Sequence, residues 1–208
     1  IVLGSLSEDS DSGPWWTFSA DEIAAFQAWV ESGGGAISLT GYSGGDEQAP
    51  SNQLLAFSGI QYNRDRVGNC IDWQICGCTH SATLTDCVQT DPVIASLSPG
   101  LTMVGFEGGR SITAPAGGPV AATVRGLPVL VGKLVGQGRV LVFGDEWITY
   151  TSQWTGAGNP STTDPACAGF LPQDRYQIAQ LWYNMIRTPR PTATCFTIID
   201  DANPVTIW

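Results

Sequence analysis

The stretch AISLTGYSGGD, residues 36 to 46, contains the pattern G-x-S-x-G centred on Ser43. In hydrolases this pattern places a serine nucleophile on a sharp turn between a strand and a helix. A serine hydroxyl needs a neighbouring general base, which is usually a histidine, and the chain has a single histidine, His80. His80 lies in a cysteine-rich segment rather than after the last strands, where such a base normally lies. We therefore predict that Ser43 is a turn residue without a catalytic role, and a hydrolase using Ser43 and His80 is the alternative.

Acidic residues form the second set that could carry out chemistry. Glu107, Asp145 and Glu146 follow apolar runs, and two carboxylates about 5 to 10 Å apart can hydrolyse a glycosidic bond. These three residues are therefore the catalytic candidates of a carboxylate-dependent hydrolase. Asp9 and Asp11 alternate as in half of an oxygen-ligand calcium loop, and they are the candidate metal ligands. The cofactor prediction is none, or calcium.

The elements that must position these residues alternate between strand and helix. Apolar runs predict strands at IVLGSL, AISLTGY, LTMVGF, AATV, LPVLVGKLV and GRVLVFG. The sequence SADE, residues 19 to 22, is a capping box that predicts a helix start, and an apolar stripe predicts a last helix over residues 174 to 187. This alternation predicts a single layered α/β domain over residues 1 to 208, with a mainly parallel sheet.

Ligands of such domains bind outside the carboxyl ends of the strands. Several polar and aromatic residues follow predicted strands, and we expect them to gather in one binding crevice: Trp15, Trp16, Tyr42, Ser43, Glu107, Arg110 and Trp147. Aromatic rings at such a site suit stacking on a sugar or a peptide. The carboxylates outnumber Arg110, so the crevice is expected to be negative and to prefer a cation or a polyhydroxyl ligand to a phosphate.

Six cysteines make an even number, and four of them lie within a short irregular stretch. In an oxidising compartment this predicts a disulfide-stapled insertion at about residues 68 to 90, and one further bridge to a C-terminal tail at about residues 189 to 208. Zinc is the alternative, because three of these sulfurs and His80 could bind one ion, although C-x-C spacing is awkward for a tetrahedral site. The pairing stays open among Cys70, Cys76, Cys78, Cys87, Cys167 and Cys195.

Three segments resemble the ThuA-like and class I glutamine amidotransferase-like domains: FQAWVESGGGAISLTGY, DPVIASLSPGLTMVGFEGG and VGQGRVLVFGDEWITYTSQW. The resemblance implies a three-layer flavodoxin-like fold, with Ser43 at the position where an amidotransferase carries its nucleophilic cysteine. This chain has no cysteine there, and no His-x-Glu follows its last strand. The resemblance therefore implies the scaffold without the amidotransferase chemistry.

The composition limits the partners, the location and the functional classes that the chain can have. The formal net charge of −10 and the single lysine argue against nucleic acid as a partner, and no apolar run reaches the length of a membrane span. The chain begins inside an apparent strand, which we interpret as a processed piece of a longer protein. The cysteine count predicts an extracellular or cell-surface location, with the periplasm as the alternative. The leading functional hypothesis is a secreted, non-enzymatic binding or structural domain, part of a larger extracellular assembly, whose protein or glycan partner is unknown. The alternatives are the hydrolase and a calcium-dependent carbohydrate-binding module.

Overall fold

A computed structural model describes the following residues of the 208-residue chain: 1–8, 13–40, 46–67, 74–75, 97, 99–101, 109–116, 119–124, 126–146, 149, 178–187, 196–198 and 205–207. The strands, in chain order, are β1 (Val2–Leu3), β2 (Gly35–Leu39), β3 (Gln61–Tyr62), β4 (Gln74–Ile75), β5 (Ile112–Thr113), β6 (Val120–Val124), β7 (Leu127–Val135), β8 (Gly138–Phe143), β9 (Phe196–Ile198) and β10 (Val205–Ile207). The helices are α1 (Ala20–Glu31), α2 (Gln48–Leu55) and α3 (Ile178–Arg187), and a 3₁₀ turn at Ala56–Ser58 follows α2.

The central sheet has six strands in the order β1-β2-β8-β7-β6-β4. β1, β2 and β8 run parallel to one another, whereas β7, β6 and β4 continue the sheet with antiparallel pairs. β3 pairs with β5, and β9 pairs with β10, in two separate antiparallel sheets. The prediction of an α/β domain is therefore confirmed, and its parallel pairing is found in the half of the sheet that holds β1, β2 and β8.

The antiparallel half follows from a turn that the sequence places between β7 and β8. Val135 pairs with Gly138, so only residues 136 and 137 connect the two strands, and Gly136 has a φ of 59°. Two-residue hairpin turns need this left-handed backbone, which glycine adopts without steric cost. A parallel connection would need a crossover of a dozen or more residues, so this short turn makes β7 antiparallel to β8.

Helix α1 begins at the capping box predicted from the sequence. The Ser19 hydroxyl accepts a hydrogen bond from the Glu22 backbone N–H, and the Glu22 carboxylate accepts one from the Ser19 backbone N–H at 2.8 Å. These two bonds satisfy backbone donors that the first helical turn leaves without an internal partner. The predicted start of α1 is therefore confirmed.

Alternate residues of the sheet pack on different helices. Leu39 and Phe143 belong to a core cluster with Leu181 and Met185 of α3. The neighbouring strand positions, such as Val142, belong to a second cluster with helices α1 and α2. Because side chains alternate between the two faces of a strand, the apolar runs of β2 and β8 are buried on both faces.

Helix α3 is fastened to the sheet by buried polar groups as well as by apolar packing. The guanidinium of Arg139, on β8, donates hydrogen bonds to the backbone carbonyls of Met185 and Ile186, where the helix leaves carbonyls without internal partners. The Asn184 side chain donates to the carbonyls of Leu97 and Pro99. Of the helices in the described ranges, none combines the length and the apolarity that crossing a membrane requires.

Candidate functional site

Strands β2 and β8 end side by side, because Leu39 pairs with Phe143 in a parallel register. The next residues, Thr40 after β2 and Gly144-Asp145 after β8, therefore lie at one edge of the sheet, which we call the carboxyl edge. This edge is where parallel α/β sheets bind their ligands. Thr40 and Asp145 are buried, with exposed fractions of 1% and 2%. The carboxyl edge thus carries polar groups that the fold withdraws from bulk water.

Thr40 carries a buried hydroxyl at this edge. It follows Ser38 by two positions, so both hydroxyls belong to the sheet face that packs on α1 and α2. The Thr40 Oγ1 atom is buried and makes no hydrogen bond with the described part of the chain. A buried hydroxyl without a hydrogen bond is costly, by about 1 to 3 kcal/mol on protein scales. Thr40 is therefore the clearest place for a ligand atom at the carboxyl edge.

The Tyr62 side chain connects β2 and β8 near the same edge through hydrogen bonds. The Tyr62 hydroxyl lies 3.0 Å from Ser38 Oγ and 3.2 Å from the carbonyl oxygen of Phe143. The Asn52 side chain, on α2, holds the Tyr62 backbone by donating to its carbonyl and accepting from its N–H. Burial raises the pKa of Tyr62 strongly, although its hydrogen bond with Ser38 opposes the shift. Tyr62 is therefore neutral at physiological pH. Its hydroxyl holds β2 and β8 together by hydrogen bonds and does not act as a general base.

Glu47 and Arg110 are buried charged residues of the site, as Asp145 is. Glu47 directly precedes α2, Arg110 directly precedes Ser111 and β5, and each is at most 3% exposed. Burial lowers the pKa of Arg110, and the nearby carboxylates of Glu47 and Asp65 partly counter this effect. The carboxylate of Glu47 also acts on Tyr62, whose pKa it raises. Glu47 therefore lies within electrostatic range of both Arg110 and Tyr62, although no apolar pattern marks it in the sequence.

Arg110 is held in place through its backbone and its side chain. The Arg110 N–H donates to the Gly144 carbonyl at 2.9 Å, and Nη1 donates to the Asp65 carbonyl at 3.2 Å. A Cβ atom on Gly144 would lie 2.0 Å from the Arg110 carbonyl oxygen, so only glycine permits this approach. The Asp65 carboxylate in turn accepts hydrogen bonds from the Ser111 N–H and hydroxyl. The end of β8 and the start of β5 are thus fixed against each other around Arg110.

The structure brings together part of the predicted crevice. Arg110, Asp145 and the partly buried Glu146 lie at the carboxyl edge, where Glu146 also raises the pKa of Tyr62. Trp15, partly buried, and Trp16, 46% exposed, follow β1, and Trp15 pairs with Ser7 in an isolated antiparallel bridge. The other predicted site residues lie outside the described residues: Asp9, Asp11, Tyr42, Ser43, His80, Glu107, Trp147 and the six cysteines.

Three residues of the site were not predicted from the sequence: Thr40, Glu47 and Tyr62. The rule that ligands bind after the carboxyl ends of strands would have included Thr40 and, if extended to the start of the next helix, Glu47. Tyr62 carried no local signal, because it contacts residues far away in the chain. Among the described residues, no group of three His, Cys, Asp or Glu side chains could hold a metal ion, and the calcium ligands Asp9 and Asp11 stay a prediction.

The chain was compared with known proteins at the level of sequence and structure. No family model matches it, and no curated protein matches it in sequence. The fold is similar to the solved cytoplasmic protein STM1381 from Salmonella typhimurium LT2, with 18% identity, a TM-score of 0.56, and coverage of 91% of this chain and 71% of that chain. It is also similar to the cytoplasmic protein STM3548 from Salmonella typhimurium, with 16% identity, a TM-score of 0.55 and the same coverage of both chains. At these identities the likeness concerns the fold alone.

The predicted extracellular or cell-surface location is wrong on this comparison, and so is its periplasmic alternative. Both structural neighbours are described as cytoplasmic proteins. The prediction rested on the six cysteines, which indicate an oxidising compartment only if they form disulfides. Cysteines in a reducing compartment serve equally well as free thiols or metal ligands. The cysteine count therefore does not determine the location of this chain.

Proposed function

We propose that the chain is a non-enzymatic binding domain on a three-layer flavodoxin-like, amidotransferase-like scaffold that has lost its catalytic residues. The ligand would lie at the carboxyl edge of β2 and β8. The observation that carries this proposal is the buried Thr40 hydroxyl, which has no hydrogen-bond partner in the described part of the chain and follows a parallel strand at that edge. A ligand hydroxyl or carbonyl there would supply the missing hydrogen bond.

The polar groups around Thr40 favour binding over catalysis. The Tyr62 phenol is neutral at pH 7, because its ordinary pKa of 10.0 already lies well above that pH and burial raises it further, so it is a poor proton acceptor. Tyr62 is also bonded to Ser38 and to the Phe143 carbonyl, and these bonds fix it in place. Fixed hydrogen-bonding groups that do not change protonation suit recognition of a ligand rather than proton transfer to it.

The excess of negative charge at the site limits the class of ligand that could bind there. Glu47, Asp145 and Glu146 outnumber Arg110 at this edge, and the whole chain has a net charge of −10. A phosphate would meet this excess of carboxylates, whereas a neutral polyhydroxyl compound or a cation would not be repelled. We therefore propose that the ligand is polyhydroxyl or cationic, with calcium as the cation to test first.

Thermal unfolding of the wild-type chain with separate additions of neutral monosaccharides, calcium chloride and inorganic phosphate tests this proposal. Binding to the folded state raises the melting temperature by mass action. We expect a rise with a sugar or calcium, none with phosphate, and a smaller rise in Thr40→Val, which removes the hydroxyl and keeps the side-chain shape. Thr113→Val is the control, because its exposed hydroxyl bonds Asn63. A shift with phosphate alone, or equal shifts in both variants, would contradict the proposed site.

The competing hydrolase hypothesis is tested separately with a fluorophosphonate probe, which labels activated serines. The proposal of a binding domain requires that wild-type protein is not labelled. Stoichiometric labelling that is lost in Ser43→Ala would replace the binding function by serine hydrolysis.

A further inference from the structure

Trp16 presents an aromatic ring to solvent beyond the carboxyl end of β1. The segment that carries it is joined to the residues after β1, because the Trp16 N–H donates to the Leu6 carbonyl at 2.9 Å and Trp15 forms a bridge with Ser7. Leu6 is in turn buried in a cluster with Leu3 of β1. Trp16 nevertheless remains 46% exposed. The fold therefore holds the backbone of Trp16 in place while leaving much of its indole in water.

The aromatic residues on either side of Trp16 pack on the protein. Trp15 is partly buried, and its indole lies close to Gly13, where a Cβ atom would be 3.6 Å from the Trp15 Nε1 atom. Phe18 packs on the apolar cluster that β1 and α2 share, and its N–H donates to the Gln53 side chain at 2.9 Å. Of these three aromatic residues, only Trp16 is exposed. Its ring is therefore the one that a ligand could reach.

Trp16 lies at the same end of the sheet as Thr40. β1 and β2 are parallel neighbours, and Leu3 pairs with Ser38. Thr40 lies two residues beyond Ser38, and Leu6, which accepts the hydrogen bond from Trp16, lies three residues beyond Leu3. Neighbouring strands are about 4.8 Å apart, so both segments leave the sheet at adjacent positions of the carboxyl edge. The exposed ring and the buried Thr40 hydroxyl are thus two independent features of one edge.

An exposed aromatic ring and a buried hydroxyl are groups that sugar recognition combines. The apolar face of a sugar ring packs on an indole, while the sugar hydroxyls bond polar side chains. The net charge of −10 disfavours a nucleic acid base as the stacking partner, because its phosphates would be repelled. We propose that Trp16 is the stacking platform for a neutral oligosaccharide bound at the carboxyl edge, with one of its hydroxyls bonded to Thr40. This inference rests on the proposed function and narrows its ligand to neutral glycans.

Binding of the full chain to an array of neutral oligosaccharides of increasing length tests the proposal, and isothermal titration calorimetry with the tightest-binding glycan compares the variants. We expect Trp16→Ala to weaken binding roughly tenfold, because the stacking contact is lost, and Trp16→Tyr, which keeps an aromatic ring, to recover most of the affinity. Far-ultraviolet circular dichroism verifies that each variant is folded.

Trp29→Ala is the matched control. Trp29 is 37% exposed, which is close to the exposure of Trp16. Its indole lies against Gly34, where a Cβ atom would be 2.6 Å from the ring, and Gly34 directly precedes β2 at the amino end of that strand. Trp29 therefore lies at the opposite edge of the sheet from Thr40. We expect Trp29→Ala to bind the glycan with the affinity of wild type.

The outcomes separate this inference from the proposed function. Weaker glycan binding in Trp16→Ala and in Thr40→Val, with Trp29→Ala unchanged, supports both. The stacking role is refuted if Trp16→Ala binds as tightly as wild type or if Trp29→Ala weakens binding equally. If only Thr40→Val weakens glycan binding, the proposed site stands and the role of Trp16 fails. If no neutral glycan binds while calcium raises the melting temperature, this inference fails and the cationic form of the proposed function stands.

Discussion

Replacement of Tyr62 by phenylalanine tests the buried hydrogen bonds that the Tyr62 hydroxyl makes at the carboxyl edge. The substitution keeps the ring in the core and removes the hydroxyl that bonds Ser38 Oγ and the Phe143 carbonyl. A buried hydrogen bond contributes about 0.5 to 1.5 kcal/mol, and a buried group left without a partner costs about 1 to 3 kcal/mol. We therefore expect Tyr62→Phe to lower the free energy of unfolding by roughly 2 to 3 kcal/mol at pH 8.

The same variant has a signature in alkaline solution. Burial raises the pKa of Tyr62 above its ordinary value of 10.0, so the unfolded chain releases this proton near pH 10 while the folded chain retains it. The folded state then binds more protons, and its stability falls as the pH rises above about 10, by about 1.4 kcal/mol per pH unit for one such group. Phenylalanine has no proton to lose. The slope reaches this limit only well above pH 10, so the difference in stability between wild type and Tyr62→Phe should shrink by about 1 kcal/mol between pH 10 and pH 11.

Urea denaturation at pH 8, 10 and 11, followed by tryptophan fluorescence, measures both effects. Thr113→Val is the control, because it removes an exposed hydroxyl that bonds Asn63 and that does not titrate in this pH range. The difference in free energy of unfolding between this variant and wild type should stay constant from pH 8 to pH 11. A constant difference between wild type and Tyr62→Phe from pH 8 to pH 11 would refute the proposed burial and protonation state of Tyr62.

Three further predictions concern the rest of the molecule. Gly144→Ala would bring a Cβ to 2.0 Å from the Arg110 carbonyl oxygen, so it should destabilise the fold by roughly 1 to 3 kcal/mol in urea, whereas Gly4→Ala, with open space around its Cβ, should be near neutral. Glu22→Gln should lower the melting temperature at pH 7, and its difference from wild type should shrink as the pH falls below 4.5, because hydrogen bonds from Ser19 hold the pKa of Glu22 below its ordinary value of 4.5 and their stabilisation is lost as the pH falls through that lowered pKa. If the predicted disulfides form, the native, unreduced chain should react with fewer than six equivalents of thiol reagent, and reductant should lower its melting temperature; six reactive thiols would disprove the disulfides, and bound zinc would favour the metal alternative.

Local interactions account for the part of the fold that was predictable. The capping box at Ser19 and Glu22 involves residues three apart, so its hydrogen bonds follow from adjacent sequence. The apolar runs of β2, β7 and β8 predicted strands, because burial on both faces favours apolar side chains at most positions. The same runs did not reveal pairing direction, since a buried strand has the same composition in a parallel and an antiparallel sheet. The two-residue turn at Gly136 was the local feature that made β7 pair antiparallel with β8.

The carboxyl edge shows what only tertiary structure could decide. The rule for parallel sheets predicted Arg110 and Asp145 at one end of the sheet, and in the structure the Arg110 N–H donates to the carbonyl of Gly144, the neighbour of Asp145. Tyr62 bonds Ser38 and Phe143 across separations of 24 and 81 residues, and no local pattern encodes such contacts. The burial of Glu47 within electrostatic range of Arg110 likewise joins residues that are far apart in the chain. Sequence determined which segments are strands and helices through nearest-neighbour chemistry, whereas the identity of the buried polar groups was decided by long-range packing, which alone excludes water from them.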